Sequence, residues 1–279
     1  MLGAMGLRVW APPAAEARAP AAALPLVALP FAALPIAAVP IPANTAANTA
    51  APPSASTAVR LGPAPVRAAA PEPVALPAPR GEVGTLGWPA LREAVAGCRA
   101  CGLCEGRTQT VFGVGHEQAQ WLVVGEAPGE QEDRQGEPFV GASGQLLDRM
   151  LAALQLTRSA EGPEPIAQRV YIANALKCRP PRNRNPSAEE MMQCEPFLVR
   201  QIELLAPRVI LAMGRFAVQA LLRSDEPIGR LRGRVHRYRG VPLVVTYHPA
   251  YLLRSLQDKA KAWEDLCLAA DVAEQGAPP

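Results

Sequence analysis

The stretch "WLVVGEAPGEQEDRQGEPFVGASGQ", Trp121 to Gln145, decides how the rest of the chain is read. Its first four residues, Trp121–Val124, form a short apolar run of the kind found in strands buried on both faces. A glycine-rich turn follows at once, as in loops that cradle phosphate. This loop also carries Glu126, Glu130, Glu132, Asp133 and Glu137. A simple anion cradle would not be so acidic, so the loop must serve another chemistry.

Working outward, similar apolar runs predict strands at Val170–Ala173, Val209–Ala212 and Leu243–Thr246. Helical periodicity fits between and after them, over about 143–156, 187–205, 214–223 and 258–273. Upstream, "WPALREAVAGC" places Pro89 at a first helical position, with Leu91 and Val95 on one face. Residues 157–167 read as a loop. "RLRGRVHRYRG" running into "VPLVV" suggests a hairpin at the sheet's edge. Alternating strands and helices with apolar strands predict a three-layer α/β/α sandwich around a central four-stranded parallel sheet. The polar motifs "GEAPG", "NALKC", "MG" and "YHPAYLLR" each follow one of the four strands. Ligands of open α/β sheets bind beyond the carboxyl ends of the strands. Four motifs are therefore expected to converge on one crevice.

Residues 1–85 differ in kind from this body. Prolines recur at 20, 25, 30, 35 and 40, and residues 19–59 hold no charge. Proline at each turn removes helix hydrogen bonds and adds clashes, which excludes a membrane span. The basic flank is too weak and broken for a secretory signal. We read 1–85 as a disordered Ala/Pro-rich tail, 86–273 as the folded domain and 274–279 as a disordered end. The expected compartment is the cytoplasm, with no membrane contact.

Net charge is only +3, so global charge says little about partners. Local charge says more. From Pro227 to Gln257 no residue is acidic, yet Arg230, Arg232, Arg234, Arg237, Arg239 and Arg254 occur. A basic stripe facing a polyanion is the reading preferred over a solvated face.

Cys98, Cys101 and Cys104 make a CxxCxxC, and Cys178 and Cys194 follow downstream. Cys267, in an apolar helix, is read as core. Without an export signal, disulfides fit poorly. A four-thiolate site fits better, and spacing leaves Zn²⁺ and an iron–sulfur cluster equally open.

Together, Cys98-x-x-Cys101, "GEAPGEQED" (125–133), "GEPFVGASGQLL" (136–147), "NALKCRPPRNRNP" (174–186), Cys194 and "HPAYLLR" (248–254) resemble a family-4 uracil-DNA glycosylase. The motifs stand in that family's order and cover about 90–270. The resemblance implies the same four-stranded fold, a [4Fe–4S] cluster on Cys98, Cys101, Cys178 and Cys194, and excision of uracil from DNA. It gives Cys104 no ligand role.

The expected roles follow from that reaction. A glycosylase must flip its nucleotide into a pocket and read the Watson–Crick edge. The Asn174 amide offers an acceptor for N3–H and a donor for O4. Phe139 would stack on the flipped ring, and Gly125 and Ala127 would let backbone approach the base. His248 would donate to O2 as the uracil anion leaves. Glu126 and Glu132, with Asp133 third, are candidates for stabilising the cationic sugar or holding water, and Asn183 could position that water. Glu130 and Glu137 are read as solvated. Leu252 or Leu253 could fill the gap left in the duplex, with Arg254 on phosphate, and the 230–239 stretch and "RPPRNR" would hold the backbone. The expected partner is uracil-containing DNA, single- or double-stranded, bound by a monomer. Two rivals remain: a superfamily member that traps uracil-DNA covalently through an added histidine, and a non-enzymatic iron–sulfur or zinc module. Residues 134–143 contain no histidine, which argues against the first. The second would leave Glu126, Asn174 and His248 idle.

Overall fold

The computed structural model describes residues 81–275. The disorder expected for residues 1–80 and 276–279 lies outside the described residues. Two boundaries move. Gly81–Thr85 is a 3-10 turn rather than tail, and Val83 and Leu86 pack against the core. At the other end the last helix runs through Gln275.

The element order is α1 (Trp88–Ala96), α2 (Leu103–Gly106), β1 (Val114–Gly115), β2 (Trp121–Gly125), α3 (Glu130–Gln135), α4 (Ala142–Ala153) and β3 (Val170–Asn174). Then come α5 (Ala188–Leu205), β4 (Val209–Met213), α6 (Arg215–Leu222), α7 (Ile228–Leu231), β5 (Val235–Tyr238), β6 (Val241–Thr246), α8 (Pro249–Leu252) and α9 (Lys259–Gln275). The sheet order is β1-β3-β2-β4-β6-β5. The four expected strands form its parallel centre, and β1 and β5 add antiparallel edges. Both edges extend the four-stranded expectation; β5–β6 is the hairpin anticipated from the arginine-rich stretch.

Strand residues alternate between two apolar layers, because successive side chains point to opposite faces. Leu122, Val124, Tyr171, Ala173, Ile210 and Ala212 face one layer with α1, α5 and α6. Trp121, Val123, Val170, Ile172, Val209 and Leu211 face the other, with α4 and α9. The sandwich therefore has the three layers expected from its sequence. The chain leaves β2 for β3 on one side and returns to β4 on the other. Such a switch point splays the loops at the carboxyl ends of the neighbouring strands apart and opens a crevice.

Two polar devices shape the flanks. Ser187 and Glu190 form a reciprocal capping box that starts α5. The 157–167 loop is held by Arg169, whose guanidinium donates to the carbonyls of Glu164, Ser159, Ala160 and Gly162.

Candidate active site

A cleft of about 480 Å³ opens at the carboxyl ends of the parallel strands. Glu126 and Ala127 reach it from the end of β2, Asn174 from β3, and His248 and Arg254 from the segment after β6. Phe139, Asn183 and Glu132 also border it, whereas Leu252 and Leu253 of the expected set do not. Gly125 stands behind them. A Cβ there would lie 2.4 Å from Asn174 Oδ1 and 2.5 Å from Phe139 Cζ. Only glycine lets the amide and the ring approach each other at the strand end.

Phe139 is carried in by a strained turn with φ of 56°. That conformation is costly for a non-glycine residue and persists where its surroundings over-determine it. Gly144 is one reason it persists, since a Cβ there would strike the Phe139 carbonyl at 1.7 Å. The Phe139 ring stacks on His248, with centroids 5.4 Å apart.

His248 caps the N-terminus of α8. Its Nδ1 accepts from the Ala250 N–H at 3.2 Å, so in the neutral ring the proton sits on Nε2, which is left as a donor. Burial lowers its pKa to about 4, against a smaller opposing pull from Glu132. The ring is thus neutral at physiological pH. Gly214, from the "MG" after β4, makes room for it. At φ of 87°, a Cβ there would lie 2.9 Å from His248 Cβ.

Glu126 and Asn174 stand out for what they lack. The Glu126 carboxylate makes no hydrogen bond or ion pair among the described residues, and burial raises its pKa to about 7. Asn174 Oδ1 is buried with no hydrogen-bond partner. Buried polar atoms are nearly always paired, so this one marks a place for a donor that the protein does not supply.

Several expectations need correction. Glu132 is a strut rather than a free carboxylate. Its Oε2 accepts from the Gly129 N–H at 3.0 Å, and its Oε1 from those of Val140 and Gly141 at 3.0 and 3.2 Å. These bonds tie the two halves of the acidic loop together and leave little capacity for water or sugar. Asp133 is engaged likewise, with both oxygens accepting from the Thr108 N–H. Glu130 is not simply solvated but pairs with Arg134 and Arg179. Much of the loop's acidity belongs to the first turn of α3, where carboxylates favour the helix N-terminus. Leu252 is fully buried in the second apolar layer, whereas Leu253 is 43% exposed. Leu253 alone remains able to enter a groove.

The basic stretch also divides. Arg232 is bound to Asp265 and Glu264, and Arg239 to Glu203. In the β5–β6 register Tyr238 pairs with Val241, at the end of β6 remote from the cleft. Arg237 and Arg239 therefore stand at the far end of the sheet. Of "RPPRNR", Arg184 is paired bidentately with Glu190, and Arg179 donates to Asn183 Oδ1 at 2.7 Å. Arg254 borders the cleft with no acidic partner among the described residues. Ser143, Arg184 and Ala250 border it too. Arg184 belongs to the basic motif already noted, whereas no chemical pattern in the sequence marked Ser143 or Ala250.

A second, smaller pocket lies beside the cleft's β3 wall. Cys98, Cys101, Cys104, Cys178 and Cys194 all line it. Arg107 Nη1 donates to Cys178 Sγ at 3.0 Å and the Lys177 N–H to Cys194 Sγ at 3.2 Å. Among the described residues no three such side chains are already drawn into metal-binding geometry. The donor set nonetheless suits a thiophilic centre, with N–H groups aimed at two sulfurs. Burial pushes the Cys194 thiol up to about 12 and raises Cys101 and Cys178. Cys267 is partly buried on α9, away from this pocket. No helix among the described residues is long and apolar enough to cross a membrane.

A protein-family model described as the uracil DNA glycosylase superfamily matches residues 112–267, the span that holds the sheet and every cleft residue named above. The chain belongs to that superfamily. Within it, the chain is 44% identical over 167 residues to the type-4 uracil-DNA glycosylase of Archaeoglobus fulgidus, covering 57% of this chain and 79% of the relative. The type-4 enzyme of Pyrobaculum aerophilum is 39% identical over 186 residues, covering 64% and 90%. That of Thermotoga maritima is 39% identical over 173 residues, covering 61% and 85%.

Proposed function

We propose that the protein is a monofunctional uracil-DNA glycosylase. It flips uracil from DNA, hydrolyses the bond between N1 and the sugar, and leaves an abasic site that begins base excision repair. The observation that carries this reading is the buried, unpartnered Oδ1 of Asn174, a residue in the wall of a cleft that also holds a free carboxylate and a neutral imidazole.

Uracil enters with its Watson–Crick edge towards Asn174, and Oδ1 accepts its N3–H. The Asn174 amide donates to O4. Cytosine, with an acceptor at N3 and a donor at N4, opposes that amide at both positions. Phe139 supports the ring. As the C1′–N1 bond breaks, its electron pair goes to the base, and negative charge grows on O2. His248 Nε2–H donates there, an oxyanion-type stabilisation from a neutral group. Positive charge grows on the sugar, and the Glu126 carboxylate offsets it. Glu126 then accepts a proton from the water that adds to C1′. Its pKa of about 7 suits a base working near neutrality. Asn183 orients that water through its amide, its carbonyl being held by Arg179. Leu253 and Arg254 engage the vacated stack and the phosphates.

Cys98, Cys101, Cys178 and Cys194 would hold a [4Fe–4S] cluster, which when bound supplies a cross-link between the α1–α2 segment, the loop after β3 and α5. Anaerobic protein is expected to carry about four irons and absorb broadly near 400 nm. Cys178→Ser should lose the metal, and Cys104→Ser and Cys267→Ser should keep it. A uracil-release assay on an oligonucleotide with a single uracil tests the activity. Release of uracil with an abasic product supports the reading. Binding without release points to the non-enzymatic module, and a denaturant-stable adduct to the covalent relative.

A further inference from the structure

Lys177 is a buried cation that no carboxylate answers. It is 1% exposed. Its ammonium donates to the Asn174 carbonyl at 2.9 Å and to Gln201 Oε1 at 2.6 Å, both neutral acceptors. Gln201 is itself fully buried and fixed by donating to the Phe112 carbonyl at 2.9 Å. Elsewhere the fold treats its charges differently, as where Arg232 meets Asp265 directly. An ammonium removed from water needs an anion nearby, or the fold loses several kcal/mol. Neutral carbonyls satisfy its hydrogen bonds without balancing its charge.

The neighbouring thiol pocket supplies what is missing. Lys177 lines it with Arg107, and no acidic residue does. Four thiolates bring more negative charge than a divalent ion or a [4Fe–4S]²⁺ core removes, so a loaded site is an anion. We propose that Lys177 is the internal counter-ion of the four-thiolate site and, through the same ammonium, the positioning residue that ties the occupancy of that site to the setting of Asn174. Arg107 answers the same charge from the solvent side. The inference rests on the metal reading above, though not on which metal binds, since four thiolates on zinc are also anionic.

Such a role has an unusual signature, because the same substitution must act in opposite directions in two forms of the protein. Lys177→Met keeps most of the unbranched apolar stem and removes the charged end. In the loaded protein, chelator-driven loss of the metal should be about 10–100-fold faster than in wild type, as for loss of other groups that support ligands. In metal-free protein, Lys177→Met should unfold at the same or a higher temperature than wild type, because an unbalanced buried charge is gone. A lysine that only packs and donates hydrogen bonds would instead lower both. Should the metal-free forms fail to fold, Lys177→Gln, polar but uncharged, decides the matter through the metal-release rate. Release as fast as in Lys177→Met supports the counter-ion, and release at the wild-type rate overturns it. Wild-type protein that binds no metal would overturn the metal reading and this proposal together. Bound metal lost equally slowly from wild type and Lys177→Met would overturn the counter-ion alone.

Discussion

The cleft and the cysteine pocket share the segment from Asn174 to Cys178 but treat their polar groups in opposite ways. In the cleft, Asn174 Oδ1, the Glu126 carboxylate and Arg254 stand without partners among the described residues. In the pocket, two sulfurs already accept hydrogen bonds and the two cations are tied to neighbouring backbone. The first arrangement is that of a site which meets and releases a ligand. The second is that of a site built once and kept. The contrast extends to the acidic loop itself, where Glu126 is left free while Glu132, six residues on, is spent on three backbone N–H groups.

The largest expected effects lie in the cleft. Glu126→Gln should slow single-turnover uracil release by about 10²–10⁴-fold, the usual contribution of a positioned base. It should not weaken the fold. Burial raises the Glu126 pKa from its ordinary value to about 7, so the stability it contributes is full at acid pH and is lost as pH rises through 7. Thermal unfolding of Glu126→Gln above pH 7 should therefore occur at or above the wild-type temperature. His248→Ala should cost about 10²–10³-fold in the cleavage rate, the range for one lost oxyanion donor, with DNA binding little changed. Because His248 is held neutral down to about pH 4, no imidazole limb should appear in the rate profile between pH 5 and 8.

Smaller effects test the edges of the comparison. Asn174→Asp replaces a donor with an acceptor and should slow uracil release by about one to two decades, at about 1–3 kcal/mol for a mismatched buried bond. Competition between uracil- and cytosine-containing strands would report the lost selectivity. Leu252→Ala should destabilise by about 2–5 kcal/mol as a core truncation. Leu253→Ala should leave the melting temperature alone and weaken DNA engagement. Arg254→Ala should reduce the slope of log affinity against log salt by about one, with the cleavage rate of bound DNA preserved.

The parts of this account legible in the sequence are those fixed by short-range pattern. The four apolar runs located the central strands, and with them Asn174 at the end of β3 and Glu126 and His248 just beyond β2 and β6. Cysteine spacing located one shared pocket. What escaped depends on contacts between distant residues. β1 has two residues, too few for any periodicity. Glu132 and Glu126 look alike on the chain, and only the approach of the Val140 and Gly141 amides separates them. Leu252 and Leu253 are adjacent, and the packing of α8 on the second layer decides which is buried. The arginines of 230–239 form one stripe in sequence, but the hairpin register carries two of them away from the cleft. Lys177 is one of three lysines in the chain, and nothing local marks it as buried.

The claim that the fold spends one glutamate on structure and reserves the other for chemistry is tested most directly by a paired pH series. Single-turnover uracil release and thermal unfolding would be measured from pH 5 to 9 for wild type, Glu126→Gln and Glu132→Gln. Wild-type rates should rise through a pKa near 7. Glu126→Gln should stay folded and lose that limb together with most of its rate. Glu132→Gln, which turns an amide N–H₂ towards backbone N–H groups, should unfold at a lower temperature yet keep the wild-type limb in its folded fraction. A stable Glu132→Gln that has lost the limb, beside a Glu126→Gln that retains it, would contradict the account.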